Sequence, residues 1–140
     1  DVYTVHNYTQ DPDELRGILD PAREGGVFRN FPDHDAAYGG QPYIIDEFGG
    51  IGWNPKYALA ASGEDRSVSW GYGNSPKSLD EFYTRLEGQV RTVLSFDHIC
   101  GFCYTQLTDV EQEQNGVYFY DRTSKFDMAL IKTIFEQAKP

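Results

Sequence analysis

The chain has 140 residues and a formal net charge of −10, from 22 acidic residues against 12 Lys and Arg. This length suits one domain with a single hydrophobic core. So acidic a surface argues against binding nucleic acid or an anionic membrane, because polyanions are bound by clustered Lys and Arg. No apolar run approaches the ~20 residues that a membrane span requires, and 39% hydrophobic residues exclude the disordered class. We expect a soluble, packed domain.

The chain begins with strand-like residues, DVYTVH, and without an initiator Met. Natural termini are usually polar and frayed rather than placed inside a strand. We therefore expect this polypeptide to be a piece of a longer one.

Strands and helices alternate along the sequence. β-Branched and aromatic residues predict strands at residues 2–6, 42–46 and 98–104. Helix starts are indicated by Asp11, by a capping box at Ser78 and near Ser124. The β-α-β-α-β-α order predicts an α/β fold with parallel strands, in which ligands bind at the carboxyl ends of the strands.

Residues 48–77 predict a long irregular loop, and they hold both tryptophans. A loop of this length is uncommon inside a compact domain unless it serves a site. We therefore expect this loop to contribute to function.

Cys100 and Cys103 form a C-x-x-C motif, which suggests a redox dithiol or half a zinc site. The motif falls inside a predicted strand, where residues three apart point to opposite faces. His6, His34 and His98 lack chelating spacing as further ligands. We expect two small buried hydrophobic residues and no metal or cofactor.

Glu47 ends the second predicted strand and precedes two glycines. Strand alternation places it on the same face as Tyr43 and Ile45. A carboxylate at this end of a parallel strand is well placed to attack a substrate, although it could equally cap the next loop.

Aromatic residues near strand ends suggest a stacking platform for a sugar: Tyr8, Trp70 and Tyr104. Core packing is the commoner fate of such rings. The acidic residues Asp109, Glu111 and Glu113 predict a solvated loop face without the spacing of an EF-hand calcium site.

Three segments resemble glycoside hydrolase family 2, which includes β-galactosidases, β-glucuronidases and β-mannosidases. Residues 41–50 (QPYIIDEFGG) are similar to its nucleophile segment, residues 100–116 (CGFCYTQLTDVEQEQNG) to its eighth-strand segment and residues 1–8 (DVYTVHNY) to its sixth strand. The resemblance implies that residues 1–140 are the C-terminal portion of the catalytic domain. This single, truncated domain would hold the last three βα units, strands six to eight, of a (β/α)8 TIM barrel.

The resemblance also implies site residues. Glu47 matches the catalytic nucleophile of a retaining β-glycosidase, and Tyr8 matches the tyrosine that hydrogen-bonds it. Tyr104 stands where many members carry a sugar-stacking Trp. The assigned substrate-binding residues are Tyr104, Trp70, His6, Gln106 and Asp109.

The family's acid/base is a Glu that follows Asn on strand four, and this chain contains no Asn-Glu dipeptide. We expect the chain alone to be inactive, and open sheet edges to favour self-association or complementation by the missing part of the barrel. The loop segment Glu113-Gln114-Asn115 lacks the Lys of a uronate-binding motif, which favours a neutral sugar, galactose first. The alternative is a noncatalytic carbohydrate-binding or interaction domain. A bacterial source is expected, and the compartment, cytoplasmic, periplasmic or secreted, stays open.

Overall fold

The structure is a computed structural model that describes residues 1–55 and 69–139. Within them, three strands alternate with three helices in the order β1 (Tyr3–Asn7), α1 (Pro12–Leu19), β2 (Tyr43–Gly49), α2 (Leu79–Leu94), β3 (Ile99–Thr105) and α3 (Met128–Phe135). The strands form one parallel sheet in the order β1-β2-β3. The predicted α/β alternation and parallel pairing are confirmed. Part of the predicted loop, residues 56–68, lies outside the described residues.

Local side-chain chemistry explains where the first two helices begin. The Asp11 carboxylate accepts hydrogen bonds from the amides of Asp13 and Glu14, and Pro12 takes the first helical position. At α2, the Ser78 hydroxyl accepts from the Glu81 amide, as the capping box predicts. The described helices include none that is long and apolar enough to cross a membrane.

Helix α3 begins later than the predicted start near Ser124. Asp127 caps it by accepting from the amides of Ala129 and Leu130. Phe126 precedes the helix and stacks on Phe82, with ring centroids 4.1 Å apart. The first amides of a helix have no partner within the helix, and the Asp127 carboxylate accepts hydrogen bonds from two of them. This local interaction decides where α3 begins, rather than the apolar pattern that suggested an earlier start.

One hydrophobic cluster joins the strands to the helices. It comprises Val5, Leu15, Leu19, Tyr43, Ile45, Phe48, Ile51, Trp53, Phe82, Leu86, Val90, Val93, Ile99, Val117, Phe126, Ile131 and Ile134. On β1, Val5 is buried against this cluster while Thr4 and His6 are exposed on the opposite face. The helices therefore cover one face of the sheet, and we call the opposite face the open face.

A β-bulge in β2 changes the predicted position of Glu47. Val5 pairs with Ile45 and His6 pairs with Glu47, so Asp46 is an extra residue between the two pairs. Ile45 and Phe48 are fully buried, whereas Asp46 and Glu47 are both partly exposed. The prediction that Glu47 shares a face with Tyr43 and Ile45 is wrong, because the bulge interrupts strict alternation.

Cys100 and Cys103 lie in β3, as predicted, but both are exposed, and the expectation that they are buried is wrong. Strand β3 is an edge of the described sheet. Tyr43 pairs with Ile99 and Ile44 with Gly101, which leaves Cys100 as an extra residue at a register irregularity. An irregular edge strand beside an uncovered face leaves these thiols accessible to solvent.

We expect a maleimide to modify both Cys100 and Cys103 in the folded chain without denaturant. Their exposure gives the reagent access, so the rates should approach those of the unfolded chain. Mass spectrometry of time points with and without urea measures both rates. Modification that occurs only after unfolding would contradict the exposed placement.

A buried ion pair holds the segment after β3. Lys125 Nζ lies 2.6 Å from Asp109 Oδ1, and the two side chains are 1% and 6% exposed. Oδ1 also accepts from the Gly116 amide at 2.9 Å, and Lys125 Nζ donates to the Gln114 carbonyl at 3.1 Å. Burial lowers the pKa of Lys125, and the Asp109 carboxylate opposes that fall. The prediction of a solvated face at Asp109 is therefore wrong.

Lys125→Met should lower the free energy of unfolding by about 3–5 kcal/mol, because it leaves a buried carboxylate unpaired. The double variant Asp109→Asn/Lys125→Met should lose less free energy of unfolding, because Asn can still accept the hydrogen bond from the Gly116 amide and no charge is buried. Urea titration followed by circular dichroism measures both. Lys132→Met, which removes an exposed pair with Glu136, should cost no more than about 1 kcal/mol. A Lys125→Met loss no larger than this control would contradict the structural role.

Candidate active site

The carboxyl ends of the three parallel strands bring together Tyr8, Glu47 and Thr105. Tyr8 follows β1, and its hydroxyl donates a hydrogen bond to Glu47 Oε2 on β2. The same hydroxyl lies 3.2 Å from Thr105 Oγ1 at the end of β3. The sheet thus joins residues 39 and 97 positions apart in sequence. This is the sheet edge where parallel α/β folds bind ligands.

His6 lies between two carboxylates on the open face. Its Nδ1 is 3.3 Å from Glu47 Oε2, and its Nε2 is 3.3 Å from Asp46 Oδ1. Asp46 Oδ1 is buried and has no hydrogen-bond partner among the described residues, so His6 Nε2 approaches it without forming a hydrogen bond. The β-bulge produces the arrangement because it turns two consecutive carboxylates toward one imidazole.

The backbone of His6 is held by the side chain of Asn30. The His6 amide donates to Asn30 Oδ1 at 2.9 Å, and Asn30 Nδ2 donates to the His6 carbonyl at 2.8 Å. Asn30 lies in the connection between α1 and β2, for which the sequence predicts no element. This pair of hydrogen bonds fixes β1 next to the carboxylates.

Tyr8 is suited to donate rather than to accept. Burial raises the pKa of its phenol, and the hydrogen bond to the Glu47 carboxylate raises it further. The phenol therefore stays protonated at neutral pH and well above it. A neutral donor next to a partly exposed carboxylate stabilises the charged form of that carboxylate.

The return of the loop between β2 and α2 adds aromatic rings to the site. Tyr72 stacks on Tyr8 with ring centroids 3.5 Å apart and an interplanar angle of 3°. Trp70 meets Tyr72 edge to face at 5.9 Å. Trp70, predicted to bind a sugar directly, is thus connected to Tyr8 and Glu47 through the ring of Tyr72.

Tyr104 does not stand as an open platform. Its half-buried ring packs against Phe48 and Phe135, at centroid distances of 5.9 and 5.7 Å. The Ile51 amide donates to its hydroxyl at 3.2 Å, and burial raises the pKa of this phenol. A Cβ on Gly49 would lie 2.4 Å from the ring, so the ring rests directly on the backbone that follows Glu47. The geometry assigns this residue to packing beneath the end of β2.

Gln106 and Asp109, also predicted to bind substrate, are engaged within the loop after β3. Gln106 Nε2 donates to Asn115 Oδ1 at 2.7 Å, and the Val117 amide donates to the Gln106 carbonyl at 3.0 Å. Asp109 is buried in its pair with Lys125. Both side chains shape this loop, and burial keeps Asp109 from presenting its carboxylate to a ligand.

Sequence reasoning missed Tyr72, Thr105 and the approach of Asp46 to His6. The flanking Gly71 and Gly73 are the sequence signal at Tyr72, but they do not show where the loop returns; in the structure a Cβ on Gly71 would come 2.3 Å from Gly52 Cα. Glycine at such a close backbone approach marks a loop that must return to a fixed place. Among residues 1–55 and 69–139, no three His, Cys, Asp or Glu side chains gather closely enough to hold a metal ion.

The sequence matches no protein-family model and no curated protein. Its fold is similar to that of a solved structure, a GH2 β-galacturonidase from Eisenbergiella tayi bound to galacturonate. The two share 17% sequence identity with a TM-score of 0.51, over 99% of this chain and 24% of that one. This chain therefore spans about a quarter of the length of that enzyme. At this identity the similarity concerns the fold, and it agrees with an α/β arrangement of the kind found in glycoside hydrolases.

Proposed function

We propose that this chain is the nucleophile-bearing part of a retaining β-glycosidase, equivalent to strands six to eight of its TIM barrel, with Glu47 as nucleophile. The observation that carries the proposal is the hydrogen bond from Tyr8 to Glu47 across the carboxyl ends of two parallel strands. The Glu47 side chain is 44% exposed, so a substrate can reach it while Tyr8 holds it. The fold similarity to a GH2 enzyme supports the same reading.

The contacts of Glu47 suggest which oxygen attacks. Tyr8 and His6 both approach Oε2, which leaves Oε1 directed to the anomeric carbon. In the first step a bond forms between Oε1 and that carbon, while the glycosidic oxygen leaves with the bonding electrons and takes a proton from a general acid. In the second step, water attacks the same carbon and gives a proton to the now deprotonated general acid, while the bond to Oε1 breaks and releases Glu47 as a carboxylate.

We expect the general acid to come from outside this chain, because the family that the chain resembles carries it as a Glu after Asn and no Asn-Glu dipeptide occurs here. Retention requires two carboxyl groups about 5–5.5 Å apart across the scissile bond. Asp46 lies on the same strand as Glu47 and shares His6 with it, so it cannot lie across a sugar from the nucleophile. Turnover therefore needs the rest of a barrel, and the isolated chain should not hydrolyse glycosides at enzymatic rates.

The charges around Glu47 favour a neutral sugar. Asp46 adds a second carboxylate next to the nucleophile. A uronate would bring a third negative charge close to Asp46 and Glu47, and like charges repel at this distance. Among neutral sugars we place a β-galactoside first on the family resemblance alone, although the GH2 enzyme of similar fold was solved bound to galacturonate.

The proposal is tested with an activated fluoroglycoside whose leaving group needs no protonation, used on this chain and on a longer polypeptide containing a complete barrel. Peptide mapping should find a covalent adduct on Glu47 in the longer polypeptide only, because the isolated chain lacks the rest of the barrel that would hold the sugar against Glu47. Glu47→Gln should form no adduct and should unfold at nearly the same urea concentration as the parent, because its side chain is half exposed. Galacto- and galacturono-configured reagents compared side by side distinguish a neutral sugar from a uronate.

Glu87→Gln provides the matched control for this test, because Glu87 is an exposed helix carboxylate paired with Arg91. It should leave adduct formation unchanged. An adduct that persists in Glu47→Gln would overturn the nucleophile assignment. Sugar binding without any adduct in the longer polypeptide would favour the alternative, a noncatalytic carbohydrate-binding domain.

Tyr8→Phe should slow adduct formation by about 10- to 100-fold, because a hydrogen bond to a charged group contributes about 1.5–3 kcal/mol. The ring is retained, so its stacking on Tyr72 should persist. Stopped reactions analysed by intact mass give the rate in the longer polypeptide. An unchanged rate would show that Glu47 does not depend on this phenol.

A further inference from the structure

The two stacked tyrosines are held by a backbone path that only glycine permits. A Cβ on Gly50 would lie 2.4 Å from the Tyr72 ring and 3.1 Å from the Tyr8 ring. Gly50 also has a positive φ of 62°, which side chains rarely adopt. The residues directly after β2 thus leave room for both rings beside the proposed nucleophile.

Backbone hydrogen bonds to two other segments hold Tyr72 in place. Its amide donates to the Gly50 carbonyl at 2.8 Å. The neighbouring Trp70 exchanges backbone hydrogen bonds with the β3 loop, donating to the Gln112 carbonyl and accepting from the Gln114 amide, each at 2.8 Å. Residues 69–73 are therefore connected to the end of β2 and to the loop after β3 at once.

Tyr8 has less support of its own. It lies one residue beyond the end of β1, so no strand pairing fixes its backbone. Its hydroxyl contacts Glu47 and Thr105, but two contacts at the tip leave the plane of the ring free to turn about its long axis. The face-to-face contact with Tyr72 restricts that rotation and excludes water from one side of the ring.

We propose that Tyr72 is a positioning residue that orients the Tyr8 phenol toward Glu47 through ring stacking. The inference deepens the proposed function and rests on it for its catalytic meaning, although the orientation of Tyr8 can be measured without any turnover. The stacked ring of Tyr72 performs most of this task, and its hydroxyl adds a smaller interaction with the Tyr8 phenol. Phe should therefore replace most of the effect of Tyr72, and an aliphatic side chain should not.

The first test uses this chain alone, labelled with 13C at the tyrosine ζ carbons and titrated by NMR. Comparison with Tyr8→Phe identifies the Tyr8 signal. In the parent chain this phenol should titrate well above the usual tyrosine range, because burial and Glu47 raise its pKa. Tyr72→Leu should move the pKa of Tyr8 back toward that range, and Tyr72→Phe, which keeps the stacked ring and loses only the hydroxyl, should lower it less. Tyr120→Leu, at a tyrosine that is 68% exposed, is the control and should change nothing.

The second test measures the rate of Glu47 labelling by the activated fluoroglycoside in the longer polypeptide. Tyr72→Leu should slow labelling on the order of tenfold, the rate equivalent of a lost aromatic contact. Tyr72→Phe should restore most of the parent rate. Urea titrations of all variants separate this effect from a loss of folded protein.

The outcomes separate the two proposals. If Tyr72→Leu moves the Tyr8 pKa but no variant forms an adduct, the positioning of Tyr8 stands and the glycosidase proposal falls. If the parent forms the adduct and Tyr72→Leu forms it as fast, the glycosidase proposal stands and this inference falls. An unmoved Tyr8 pKa in Tyr72→Leu, or equal damage by Leu and Phe, also overturns it.

Discussion

Parallel strand pairing is the constraint on which the site depends. The sheet places the ends of β1, β2 and β3 along one edge, so Tyr8, Glu47 and Thr105 meet although they are far apart in sequence. The β-bulge at Asp46 then decides which side chains face that edge. Without the bulge, strict alternation would direct Glu47 into the hydrophobic cluster with Ile45. The same irregularity thus frees the carboxylate and brings His6 against it.

The site also requires glycine at the end of β2, because two aromatic rings approach the backbone closely there. The Tyr104 ring rests on Gly49, and the Tyr72 ring rests on Gly50. Both glycines have positive φ, of 82° and 62°. A chain with this backbone at the end of its strand can receive one aromatic ring from the neighbouring strand β3 and one from the loop between β2 and α2. The end of β2 is therefore packed by rings in addition to its pairing with β1 and β3.

The sequence predicts the parts of this fold that depend on local chemistry. Asp11 and Ser78 mark helix starts because a side-chain oxygen next to free amides is a local signal. The bulge is not predictable in this way, because it arises from pairing between strands rather than from the residues of β2 alone. The exposure of Cys100 follows from the same kind of irregularity in β3. Asp109 could not be recognised as buried, because its partner Lys125 is 16 residues away and no spacing rule connects the two.

In the site, too, some residues can be predicted from local sequence and others depend on contacts between distant segments. Glu47 can be chosen from its position at a strand end, and Tyr8 from the resemblance of residues 1–8 and 41–50 to a known family. Tyr72 depends on a loop that leaves the site and returns to it, and no local pattern states where such a loop comes back. Trp70 and Tyr104 are aromatic residues near strand ends, yet Trp70 packs edge to face on Tyr72 and the half-buried Tyr104 packs against Phe48 and Phe135. The sequence shows where such aromatic residues lie along the chain. Only their contacts in the structure show whether a ring is free to bind a ligand or packs against other side chains.

The Asn30 side chain has a consequence for the outer edge of β1. Its amide accepts from the His6 N–H and donates to the His6 carbonyl, which is the pair of hydrogen bonds that an additional strand would make at that residue. A primary amide thereby imitates a neighbouring peptide group and occupies the edge at its exposed end. A strand that adds at His6, whether from another molecule or from the missing part of a barrel, must first displace Asn30, so this side chain adds a cost to any pairing at that edge.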